Sequence, residues 1–340
     1  MDYSGLQKTV EKLLPGDFPV SFEEVVHSFS SGETENLTEM LGMLGEWLLG
    51  TVTFPVEHGM KLLFLVLFSA LFSNLSKAFS REGTSHIGFL CVYLLMAVQA
   101  ASGFASSLAT VREGMDNLCS FVSVLIPVYC ISIAFVTGSV TATGYYQGTT
   151  FLLGLFQFLA GHVLLPLAQV YLMLALASCM QKKPVFHRLL GMIDSLFFWI
   201  RKTLFSVAMA LGAIQGILCP AIDRMKRNAV VQSASAIPGV GNLVGGAWET
   251  VLGAGTVLKN AIGLGGVVLL FLIGAIPLVS LGLRYLTYRV LAAVTEPVTQ
   301  EMTEQFLTYA GTAHRLLVEI LSLGMLLFLL LLVVMTRIIT

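Results

Sequence analysis

Mostly apolar runs of about twenty residues or more recur along this chain, at 59–79, 87–109, 118–140, 149–178, 203–221, 262–283 and 316–336. A hydrocarbon core roughly 30 Å thick is crossed by a helix of that length. Lipid offers no partner to a bare N–H or C=O, so a spanning segment must satisfy its own backbone. Composition agrees: 56% of residues are apolar and 11% charged, against roughly 25% charged in a soluble domain. The expected fold is an all-α polytopic integral membrane protein of about seven to eight spanning helices, some of them kinked or broken.

Charge is unevenly placed. Ten of the twenty carboxylates lie between Asp2 and Glu57, which divides the chain into an acidic helical region, 1–57, and a membrane domain, 58–340. Residues 4–14 read as a short helix stopped by "LPGDFP". Ser21 and Glu24 form a capping box for a second, running to about Phe29. Leu37, Met40, Leu41, Leu44, Trp47 and Leu48 share one face of an amphipathic segment expected in the interface. The opening "MDYSGLQKTVEKLLPGDF" has neither a basic n-region nor an apolar h-region, so insertion is expected to be directed by the first span, unless a signal has been trimmed away. Net charge is −1, which gives nucleic acid no basic face to bind.

The densest basic cluster is Lys182, Lys183, Arg188, Arg201 and Lys202, which the positive-inside rule places in the cytoplasm. The segment "FHRLLGMIDSLFFWIRK" within it is expected to lie along the interface. The 149–178 run, with Gly161 and Pro166, reads either as one kinked crossing or as two shorter pieces. The acidic region falls in the cytoplasm in the first case and outside in the second.

The stretch Ser235–Asn260, "SAIPGVGNLVGGAWETVLGAGTVLKN", misses the dinucleotide glycine spacing at Val244 and lacks the GK[ST] of a phosphate loop. Glycine permits close backbone approach, and irregular backbone at membrane depth survives only buried in protein or lining a wet cavity. Pro238, Gly239, Gly241, Asn242, Gly245 and Gly246 are therefore candidates for lining a path in a re-entrant element. A closely packed helical hairpin with no path is the alternative, and Gly241 and Gly245 have the small-xxx-small spacing for it. Pro127, Pro166, Pro220 and Pro277 mark expected kinks.

Among the spans, His162, Gln99, Gln157 and Gln215 are the polar candidates, with Asn74 and Gln169 beside them. Most are expected to serve as interhelical hydrogen-bonding groups. His162 could relay protons. No Asp or Glu lies centrally in a clear span, which disfavours an ion-driven carrier. Ser102 and His162 are common residue types without a motif to fix a hydrolase geometry, so no catalytic residue, metal or cofactor is expected. The five cysteines show no zinc or disulfide spacing.

The order of short motifs resembles the stage III sporulation protein AE family of endospore-forming bacteria. The likeness rests on "IQG" (Ile214–Gly216), "PGVG" (Pro238–Gly241), "VLKN" (Val257–Asn260) and "AIPL" (Ala275–Leu278), and runs from "GMKLLFLVLFSALFSNLSKAF" to the last span. The resemblance implies a non-enzymatic, permease-like protein in the mother-cell membrane around the forespore. Its implied partners are other stage III A sporulation proteins and stage II sporulation protein Q, in a complex bridging mother cell and forespore. The expected function is a channel or transport component needed for late forespore development, with a structural scaffold as the alternative. The bilayer and further copies of the chain complete the expected partners. Members of that family typically begin with a signal sequence, which would put the acidic region outside the cytoplasm.

Overall fold

The computed structural model describes residues 4–13, 25–27, 42, 53–78, 82–180, 186–235, 241–297, 299 and 301–337. Every extended element among them is helical: α1 (Ser4–Leu13), α2 (Thr53–Ala78), α3 (Glu82–Val136), α4 (Ser139–Leu159), a π-turn (Ala160–Leu164), α5 (Leu165–Cys179), α6 (His187–Ser235), α7 (Gly241–Thr295) and α8 (Glu301–Arg337). Among the described residues five segments are long and apolar enough to cross a membrane: Leu90–Val136, Ser139–Cys179, His187–Lys226, Leu252–Thr295 and Glu301–Val334. Gly59–Leu71 is a shorter apolar stretch. The chain is an all-α membrane protein.

Contacts at glycines give the direction of each helix. A Cβ on Gly114 of α3 would meet Pro277 of α7 and Leu321 of α8, one on Gly266 of α7 would meet Leu125, and one on Gly255 would meet Val136. The α3 number falls as the α7 number rises, so these two helices are antiparallel. Gly263 against Thr336, Gly274 against Met325 and Gly311 against Tyr288 make α7 and α8 antiparallel in the same way. Gly144 against Cys219 and Gly148 against Gln215 do so for α4 and α6. Helices α6 and α8 run parallel, with Arg201 on Glu319 and Gly212 on Val334. The long elements therefore alternate up and down along the chain. Their main core joins Leu118, Leu125, Phe156, Leu269 and Phe328, and includes Leu6 and Val10 of α1. A second cluster around Leu62, Tyr93, Tyr288 and Phe306 joins α2 to α3, α7 and α8.

Several expectations change. Among the described residues the 87–109 and 118–140 runs belong to one 55-residue helix, about 80 Å long at 1.5 Å per residue. The linking "TVREGMDN" (Thr110–Asn117) has no proline, and Arg, Glu and Met are good helix formers. Its charged Arg112, Glu113 and Asp116 stand exposed. The re-entrant break is not found from Gly241 onward: α7 runs unbroken to Thr295. A glycine costs a helix interior about 1 kcal/mol, less than leaving a backbone pair unsatisfied in lipid. Pro127, Pro220 and Pro277 likewise sit inside continuous helices. The segment 186–202 is not a separate interfacial helix but, from His187, the first part of α6. The 149–178 run is one helical course in which Leu165 N–H donates to Ala160 O across the π-turn, and Pro166 opens α5. That wide turn absorbs the donor the proline lacks. The expected amphipathic helix around Leu37–Leu48 lies outside the described residues, apart from Gly42.

Candidate functional site

Helix α6 turns a seven-residue repeat, His187, Asp194 and Arg201, toward α8. A seven-residue step is nearly two helical turns, so these side chains form one row. On α8, Tyr309, Arg315 and Glu319 meet them. The His187 Nδ1 and Tyr309 hydroxyl are 3.3 Å apart. Arg315 donates to the Asp194 carboxylate, and its other nitrogen lies 3.6 Å from Glu319, one helical turn along. Glu319 also accepts from Arg201 at 2.8 Å. The result is a charged ladder of two arginines and two carboxylates running between two membrane-length helices, and neutral in sum.

The outward side of α6 at this level carries Leu189, Met192, Leu196 and Trp199, all exposed. Arg188 and Lys202 are exposed beside them, and the Asp194 side chain is itself 47% exposed. Asp194 lies near the start of His187–Lys226 and Glu319 near the middle of Glu301–Val334, both segments long and apolar enough to cross a membrane. Sequence reading laid 186–202 along the interface and used its basic residues only for topology. The seven-residue spacing on α6 and the Arg315–Glu319 step on α8 were the available signals.

Beside the ladder, Arg284 of α7 donates to Ser106 Oγ at 3.1 Å and Ser107 Oγ at 2.9 Å. His314 stacks on Tyr288 at 4.6 Å, meets Phe104 edge-on and places Nδ1 2.9 Å from Ala310 O. Toward the other end, Asp223 of α6 caps α4 across the helix pair. Its carboxylate accepts from Val140 N, Thr141 N and Thr141 Oγ1. The turn residue Gly138 adopts φ 138° and presses against that carboxylate. Lys259, from "VLKN", is fully buried, and its ammonium has no hydrogen-bond or ion-pair partner among the described residues. Sequence reading singled out none of these.

The polar candidates from the sequence are not gathered into one site. Gln215 is buried on α6 with its amide against Gly148 of α4, and its Oε1 accepts no hydrogen bond among the described residues. Gln157 and His162 are exposed, the imidazole stacked on Phe158 at 5.1 Å. Gln99 is half-buried on α3. Gly241, Asn242, Gly245 and Gly246 lie in the first turns of α7. Pro238 and Gly239 fall outside the described residues. Among the described residues no group of three His, Cys, Asp or Glu side chains could hold a metal ion.

A family model described as stage III sporulation protein AE matches residues 20–338. The chain belongs to that family. A curated relative, stage III sporulation protein AE of Bacillus subtilis (strain 168), is 23% identical over 277 residues, covering 76% of this chain and 69% of its own. No solved structure matches. The role of this family member is in sporulation, and the buried Gln215 and Lys259 fall within the "IQG" and "VLKN" motifs. The resemblance read from the sequence holds across most of the chain.

Proposed function

We propose that this family member is a non-enzymatic channel or transport component of a sporulation membrane complex, acting in the mother-cell membrane around the forespore. Other stage III A sporulation proteins and stage II sporulation protein Q are its proposed partners. The observation that carries the reading is the charged ladder. Ionisable groups within spans are expensive, and they commonly mark ion or substrate pathways. Paired arginines and carboxylates between two parallel helices can exchange partners as the helices shift, which gives an ion or a charged cargo transient counter-charges.

The test is sporulation of an endospore-forming host whose own copy is replaced by variants, with recovery of the membrane complex measured alongside. Glu319→Gln and Gly241→Leu should each reduce spore yield at least tenfold while the complex is still recovered. Loss of the complex together with spore yield would instead support a scaffold. That second reading draws on close packing at glycines, where Gly263 is pressed by Tyr129 and Thr336 and Gly324 by the Phe156 ring. Such contacts fit a bundle whose glycines serve assembly rather than passage.

A further inference from the structure

One face of α3 changes character twice along its length. Its exposed positions begin with Leu94, Leu95 and Val98 and end with Ile131 and Phe135. Between them the exposed residues are Ser102, Ala105, Ala109, Arg112, Glu113, Asp116, Ser120, Ser123 and Pro127. At 100° per residue they fall on one side of the helix, over roughly 38 Å. No large apolar side chain stands exposed on α3 within this stretch.

The neighbouring helices show what surrounds that level. Gly114 of α3 is level with Leu321 of α8 and Pro277 of α7. Glu319 is in turn level with Arg201 of α6, and Gly324 with Phe156 of α4. Around these positions the large exposed apolar side chains are Met192, Leu196, Trp199 and Phe205 on α6, Phe158 on α4 and Phe271 on α7, with Lys202, Thr203, Gln157 and His162 exposed among them. The outside of the bundle at this height thus carries large exposed apolar side chains on α4, α6 and α7 and none on α3. A charged stripe cannot face acyl chains cheaply, so something other than lipid covers it.

We propose that a second copy of this chain covers it, with the α3 stripes of the two copies packed face to face. The Arg112–Glu113 pair is complementary to a second copy of itself. A two-fold axis along the membrane normal sets the two α3 helices parallel, as a closed dimer in one membrane requires. Arg112 of each copy then lies beside Glu113, and one turn from Asp116, of the other. Ala105 and Ala109 supply the small-xxx-small step that lets helices approach closely in lipid. The interface does not depend on whether the protein conducts.

The test uses the full chain in native membranes, with the five cysteines replaced. Single cysteines are placed at Ala109, Glu113 and Ser120 on the stripe, and at Ile217 and Phe271 as controls, then treated with a short bis-maleimide. The stripe positions should yield a product of twice the chain mass, at least fivefold above the controls. Arg112→Glu should reduce that product several-fold, and adding Glu113→Arg and Asp116→Arg should restore it. Stripe cysteines that react fully with a membrane-impermeant maleimide in a chain that stays monomeric would overturn the proposal, because the stripe would then line water. A cross-linked product of any mass other than twice the chain would also overturn it, as another protein would be the occupant.

Discussion

Replacing Glu319 with glutamine tests the ladder most directly. Glu319 holds two arginines, Arg201 at 2.8 Å and Arg315 at 3.6 Å, and its side chain is 20% exposed against 40% and 37% for theirs. At about 4 Å an ion pair is worth roughly 4 kcal/mol at an effective dielectric of 20 and about 1 in water. Partial exposure places each contact toward the lower figure, and neutralising Glu319 strips both arginines of it. The expected loss is about 2 kcal/mol, below the 3–5 of a fully buried pair broken on one side. Removing the ladder whole should cost less than removing one member. A variant with Asp194, Arg201, Arg315 and Glu319 all replaced by apolar residues of similar size should come within about 1 kcal/mol of the parent, or exceed it. Unfolding of purified protein in mild detergent, followed by tryptophan fluorescence, measures both. A Glu319→Gln protein as stable as the parent would refute the reasoning. So would a coupling energy between Arg201 and Glu319 below about 0.3 kcal/mol in a double-mutant cycle.

Other predictions follow from single contacts. Gly148→Ala places a methyl group where the Gln215 amide lies and should destabilise by about 1–3 kcal/mol. Pairing it with Gln215→Ala should recover most of that loss in the same unfolding assay. Asp223→Ala removes the cap on α4 and should cost about 1–2 kcal/mol. Faster proteolytic cleavage near Thr137–Thr141 would report it, and unchanged cleavage would argue against the cap. Lys259→Met keeps the length of a buried side chain and removes an ammonium without a partner, so stability should hold or rise. If spore yield falls as stability rises, the charge is kept for function; if neither changes, Lys259 is dispensable.

The sequence disclosed the helical, membrane-embedded nature of the chain through features that survive any packing: long apolar runs and scarce charge. It did not disclose where helices stop. Arg112, Glu113 and Asp116 read as a loop between spans because charge is costly in lipid, yet these residues are helix formers and α3 runs through them. The same assumption hid the ladder, since Asp194 and Arg201 were assigned to a surface segment. Pairing them depends on Arg315 and Glu319, more than a hundred residues away. The glycine-rich stretch misled in the opposite direction. Its composition suggests broken backbone, whereas from Gly241 on those glycines are helical.

The π-turn at Ala160–Leu164 acts as a phase shifter. One extra residue in a helical turn rotates everything beyond it by about 100° relative to an uninterrupted α-helix. Before the turn, Gly144 and Gly148 look toward α6; after it, α5 packs chiefly along α8. A single helical course thereby serves two neighbours that lie on different sides of it. Deleting Gly161, an exposed residue that touches nothing within 4 Å beyond its own helix, would remove that rotation and swing Tyr171, Leu172 and Ala175 out of the core. The two ends of the bundle are thus indexed to each other by a single residue count, as the teeth of a gear are, and a change in length there would disorganise helices it never contacts.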